Sequence, residues 1–127
     1  MKKLNNAVSW FEIPATDLNR ARKFYETIFG IELTEITMAG DLKMAMFPTE
    51  DGTVGGAVCA HKDFYHPSQQ GTMVYLNGSP DLQDVLSKVE GAGGKIFMPK
   101  TQITPEYGYM AVFIDSEGNR VALHSMG

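Results

Sequence analysis

A chain of 127 residues, 43% hydrophobic and 20% charged, has the size and composition of one ordinary folded domain that buries roughly two-thirds of its unfolded surface. The formal charge of −4 and the scatter of basic residues, clustered only at Arg20, Arg22 and Lys23 on an expected helix face, argue against a nucleic-acid partner. No apolar run approaches the ~18 residues of a membrane span, and the first residues lack the apolar stretch of a secretory signal, so a cytoplasmic location is expected.

The first expected strand, about 7–13, turns Phe11 and Ile13 toward one face and Val8, Trp10 and Glu12 toward the other. Thr16 to Gly30 then places Leu18, Ala21, Tyr25 and Ile28 at helical spacing, with Thr16 or Asp17 as cap and Gly30 as stop. Three strands follow, about 32–38, 42–48 and 54–60, and Gly52 marks a hairpin turn between the last two. The last of them carries Cys59, the lone cysteine, expected to be a buried and inert thiol.

After a linker at about 61–71, the order recurs. A strand at about 72–78 precedes a helix from Pro80 to Gly94, opened by Ser79 and Pro80, with Leu82, Val85, Val89 and Ala92 on one stripe. Strands at about 95–98, 109–115 and 120–125 complete the chain, and 99–108 reads as a binding loop holding Lys100, Gln102 and Tyr107. In the linker, His61, Tyr65 and His66 are candidate polar groups, although a plain connector is the simpler reading. Gly91 to Gly94 follows a helix instead of opening one, so it reads as a C-terminal cap and not as a phosphate loop.

The recurrence is a sequence repeat. TDLNRARKFYETIFG at 16–30 aligns with PDLQDVLSKVEGAGG at 80–94, an offset of 64 (16 to 80), and MAMFPTEDGT at 44–53 aligns with MAVFIDSEGN at 110–119, an offset of 66 (44 to 110). The expected fold is therefore α+β: two tandem βαβββ modules, about 7–60 and 72–125, forming one domain over 1–127 with a cupped sheet. Carried onto the strands, the offsets pair Trp10 with Val74, Glu12 with Leu76, Gly56 with Ala122 and Val58 with His124. The expected cup then holds Trp10, Val58, Val74 and Ala122 as its apolar floor, with Tyr107 near its mouth and Glu12 and His124 as polar handles.

The stretches WFEIPATDLNRARKFYETIFGIEL (10–33), GGKIFMPK (93–100) and GYMAVFIDSEGNRVALHS (108–125) resemble the vicinal oxygen chelate superfamily: glyoxalase I, bleomycin-resistance proteins, extradiol dioxygenases and methylmalonyl-CoA epimerase. With the repeat, the resemblance covers nearly the whole chain. It implies a glyoxalase/bleomycin-resistance-like fold, and a homodimer that completes or covers the cup. In metal-dependent members, the first and last strands of each module supply four ligands to a divalent ion. The matching positions look like Trp10, Gly56, Val74 and Ala122, none of which binds a metal through its side chain.

The resemblance thus implies a small-molecule binding protein with no metal or other cofactor, in which Trp10 is either a stacking platform or plain core. The alternative is a lyase or isomerase with Glu12 as general base and His124, or a divalent metal held outside the family positions with His61 as a third donor, stabilising an enolate. Glu12 as a partner for a backbone amide or arginine, and His124 as an ordinary strand-end residue, remain the structural readings of the same two positions.

Overall fold

The computed structural model describes residues 2–127 and orders them as two successive strand-helix-strand-strand-strand units. In the first, β1 (Trp10–Pro14) leads to α1 (Leu18–Phe29), β2 (Thr34–Thr37), β3 (Lys43–Met46) and β4 (Gly55–Ala60). In the second, β5 (Tyr75–Asn77) leads to α2 (Leu82–Leu86), β6 (Lys95–Thr104), β7 (Gly108–Ile114) and β8 (Arg120–Ser125). Each unit forms its own four-stranded sheet in the same order, β1-β4-β3-β2 and β5-β8-β7-β6, with first and last strands parallel neighbours. The α+β architecture of tandem βαβββ modules is the one expected. Among the described residues no helix is long and apolar enough to cross a membrane.

Local chemistry fixes the helix ends. Asp17 caps α1 by accepting from the Arg20 amide, and Gly30 closes it in the left-handed conformation at φ 64°, where a Cβ would be strained. The cap of α2 is Asp81, which accepts from the Gln83 amide, so Ser79 and Pro80 lie outside the helix they were expected to open. α2 is also shorter than expected. From Ser87 onward the chain tightens into turns, with Lys88 and Val89 amides donating three residues back, in a stretch whose glycines have poor helix propensity. The larger difference is at 99–108. β6 runs through to Thr104 and only 105–107 form the turn. Pro99 is tolerated because β6 is an edge strand and its pairing with β7 shifts register between Met98 and Thr101.

The apolar stripes of both helices enter one shared core. Leu18, Ala21, Tyr25 and Ile28 are buried as the spacing predicts, joined by Phe24, and they pack with Leu82, Leu86, Phe113, Val121 and Leu123 of the second module. Burying each large side chain stabilises by about 1.5–3 kcal/mol.

A polar seam runs beside this core. Tyr25 donates to buried Asp115 at 2.7 Å, and burial followed by the charge of Asp115 pushes the phenol well above its ordinary 10.0. Asn119 donates to Asp115 and to the Pro14 carbonyl, while its Oδ1 accepts from the Ser68 amide. Glu117 accepts from the Thr16 and Asp17 amides and, through both oxygens, from Nε and Nη2 of the Arg20 guanidinium. The seam therefore joins residues 16–25 of module one to residues 115–119 of module two, two of the stretches on which the repeat and the family resemblance rest.

Burial pushes the Glu117 carboxyl up, but donation from Arg20, the Asp17 amide and Ser116 more than offsets this and holds it below its ordinary 4.5. A carboxyl with a lowered folded pKa stabilises above its unfolded value, and that contribution disappears as pH falls through the folded value. The stability gap between wild type and Glu117→Gln, measured by urea unfolding, is expected to be widest near pH 7 and to shrink toward about pH 3. A gap that stays constant with pH overturns the assignment.

Candidate functional site

Strand pairing settles which side chains share a face. Phe11 pairs with Gly56 and Ile13 with Val58, and both Ile13 and Val58 belong to the helix-side core. Trp10, Glu12 and Pro14 accordingly share the opposite, open face with Gly55, Ala57 and Cys59. In module two, Leu76 pairs with Leu123 on the helix side, leaving Tyr75, Asn77, Ala122 and His124 on the open face.

Several of the predicted cup positions are therefore displaced, Val74 and Leu76 among them because they share the helix-side face of β5. Val58 is wholly buried in the core, and Gly56 faces Phe11. The error is one of offset. The Ala15 amide donates to the Cys59 carbonyl and the Gly78 amide to the His124 carbonyl, so the modules align at 63 in their first strands (15 to 78) and 65 in their last (59 to 124). Trp10 thus matches Met73 instead of Val74, Glu12 matches Tyr75 instead of Leu76, and Ala122 matches Ala57 instead of Gly56.

A cavity of about 840 Å³ opens between β1 and β5, bounded by the linker segment around 66–72 and the start of β8. Trp10 and Tyr75, exposed by 41% and 48%, present large aromatic surfaces to it. Val74 also lines it while packing on the core edge. Glu12 is its acidic group. One carboxylate oxygen accepts from the Tyr65 hydroxyl at 2.6 Å and the other from the Trp10 indole at 3.3 Å, so the side chain is oriented from two sides. The bond to Glu12, then burial, raises the Tyr65 phenol above its usual range. Beside this pair, burial and then the Glu12 charge push the Cys59 thiol up to about 12, far from the thiolate that a nucleophile needs.

The remaining predicted residues stand apart from this cavity. Ala122 is buried on the open face of β8 and does not line it. The His124 imidazole contacts the Tyr107 carbonyl at 2.7 Å, and Tyr107 itself is exposed in the β6–β7 turn. The structure thus brings Trp10, Glu12 and Val74 together and pairs His124 with Tyr107 elsewhere. His61 contacts the Gly40 carbonyl and is likewise outside the cavity. Cavity residues to which the sequence reading gave no role include Tyr75, Asn77, Gln70 and Arg120. For the two on β5, the usable signal was the pairing of apolar Leu76 with Leu123 on the helix side, which forces Tyr75 and Asn77 outward.

With the alignment corrected, the four positions of the family's metal ligands hold Trp10, Ala57, Met73 and Ala122. An indole, two methyl groups and a thioether do not fit a hard or borderline divalent ion. Among the described residues no group of three or more His, Cys, Asp or Glu side chains gathers to hold a metal.

Residues 7–123 match the profile of the Glyoxalase/Bleomycin resistance protein/Dioxygenase superfamily. A glyoxylase-like domain-containing protein of Didymella fabae is 29% identical over 133 aligned positions, covering 94% of each chain. An anthracycline biosynthesis protein of Streptomyces peucetius is 27% identical over 95% of this chain, which spans about half (47%) of that relative. Among solved structures, an antibiotic binding protein from Streptomyces sp. CB03234 superposes with a TM-score of 0.63 at 17% identity, covering 99% of this chain and 100% of that one.

Proposed function

The chain belongs to the glyoxalase/bleomycin resistance protein/dioxygenase superfamily, and on that premise we propose that it binds a small, planar, partly apolar organic molecule between β1 and β5 without a divalent ion. The observation that carries the reading is the composition of the open faces. Where metal-dependent members place ligands this chain has Trp10, Ala57, Met73 and Ala122, while exposed Trp10 and Tyr75 border a cavity of about 840 Å³. A space of that size suits a drug-sized molecule held by aromatic walls and a few polar groups. Trp10 is the stacking surface, Val74 an apolar wall, and Glu12 an acceptor for a ligand hydroxyl or amine. The naming of relatives for anthracycline biosynthesis and antibiotic binding supports the same class of occupant.

The lyase or isomerase reading has less support, because Glu12 and His124 are engaged with different partners and only Glu12 lines the cavity. Homodimerisation belongs to the proposal as well. The edge strand β6 leaves Phe97 and Ile103 exposed by 62% and 42%, apolar surface that a second copy would cover.

Trp10 is the sole tryptophan, so its emission reports on the cavity directly. A neutral anthraquinone is expected to quench it saturably, and Trp10→Ala to weaken binding about tenfold by calorimetry, the loss of one good stacking surface. Dialysis against EDTA should leave the affinity unchanged. Absence of saturable quenching across a panel of polycyclic aromatics overturns the binding reading. Affinity lost on chelation and restored by a divalent ion overturns its metal-free part.

A further inference from the structure

We propose that Arg120 holds an acidic group of the occupant, so that the ligand class is a planar aromatic molecule bearing a carboxylate or a comparably acidic oxygen. The inference rests on the cavity reading above and adds the charge of what fills it. Arg120 opens β8 and lines the same cavity as Trp10 and Glu12. Its amide donates to the Ser68 carbonyl at 3.3 Å, and one guanidinium nitrogen donates to the Gly71 carbonyl at 3.1 Å. These bonds tie the end of the linker along the cavity wall and hold the guanidinium in place.

The charge itself is unanswered. Arg20, Arg22 and Lys100 each have a carboxylate within 4.0 Å, whereas among the described residues Arg120 has none. Its Nε is shielded from solvent and meets no acceptor, alone among the buried side-chain nitrogens and oxygens of the described residues. The one carboxylate lining the cavity, Glu12, is turned toward Tyr65 and Trp10 and is not within ion-pairing distance of Arg120. Pinning the linker accounts for the bonds to Ser68 and Gly71 but uses none of the charge. A partly buried guanidinium without a counter-ion is costly, and a planar carboxylate reaching its terminal nitrogens from the cavity is a partner of matching charge and shape. Glu12 and Arg120 then orient the occupant: donor groups turn toward β1 and the acid toward the start of β8.

The test is calorimetry at neutral pH with matched acid and amide pairs of one- to three-ring aromatics, such as naphthoate against naphthamide. Wild type is expected to favour the acid of each pair by about tenfold or more, the advantage of a charge-assisted over a neutral contact. Arg120→Met should abolish that preference, with the acid losing far more affinity than the amide, and Arg120→Lys should retain part of it. Equal affinity for acid and amide in wild type overturns the inference and leaves the cavity reading standing. So does a preference that survives Arg120→Met, or an equal loss of both probes, which marks a loop pin only. No binding of any pair overturns both readings, and the wild-type comparison stands even if Arg120→Met fails to fold.

Discussion

Replacing Asp115 by alanine is expected to destabilise the protein by about 3–5 kcal/mol, measured as a lower urea midpoint at unchanged slope. The carboxylate accepts four hydrogen bonds: from the Tyr25 hydroxyl, the Asn119 side chain, and the amides of Glu117 and Asn119. Asp115 is only 4% exposed and Tyr25 is fully buried, so the stranded phenol lies away from bulk water. Removing the acceptor leaves a buried phenol and a buried amide unpaired, which costs more than the contacts themselves were worth. Tyr25→Phe is the milder control, because it removes one donor and leaves Asp115 with three; about 1–2 kcal/mol is expected. An Asp115→Ala protein as stable as wild type would show that the seam contributes nothing.

Gly56→Ala should cost about 1–3 kcal/mol, although glycine-to-alanine in a strand ordinarily helps. A Cβ built on Gly56 falls within the Phe11 ring, which packs in turn against Phe47 at 5.6 Å between centroids. The ring has to leave its place for the methyl group to fit. The outcome also discriminates between the faces. If Gly56 lined the open face, as the uncorrected repeat implied, the added methyl would project into the cavity, change ligand affinity and leave stability alone. Loss of stability without direct contact to the ligand is the expected result.

The same position shows what was legible in the sequence. Helix periodicity, the caps at Asp17 and Gly30 and the order of elements followed from local chemistry, and that chemistry survived folding. The repeat gave the module architecture, because the helices and hairpins keep recognisable residues at equivalent places. It did not give the strand faces, since the alignment drifts by one or two positions between elements, and a single step turns a strand residue from one face to the other. Glu12 and Trp10 escaped that error because β1 was read from its own alternation, whereas Val58 and Val74 were carried across from the other module.

Long-range pairing was equally out of reach. Nothing near His124 in sequence indicates that its imidazole meets the Tyr107 carbonyl, and Pro99 concealed a strand that its edge position permits. The role of Arg120, though not its place on the open face beside Ala122 and His124, was invisible for a related reason. Its interest lies in what it fails to meet, which only the folded arrangement of Ser68, Gly71 and Glu12 makes visible.

The seam also bears on how the two halves of the chain relate as duplicates. Tyr25 and Arg20 have Val89 and Asp84 at the matching places in the second half, while Asp115, Glu117 and Asn119 answer to Thr49, Asp51 and Thr53 in the first. Plug and socket are divided between the copies, and neither copy keeps both. A chain built from the first half twice would present two plugs to sockets of threonine and aspartate, and one built from the second half twice would have sockets and nothing to seat in them. The duplication has passed a point of no return: the halves are no longer interchangeable, and each is specified partly by the other.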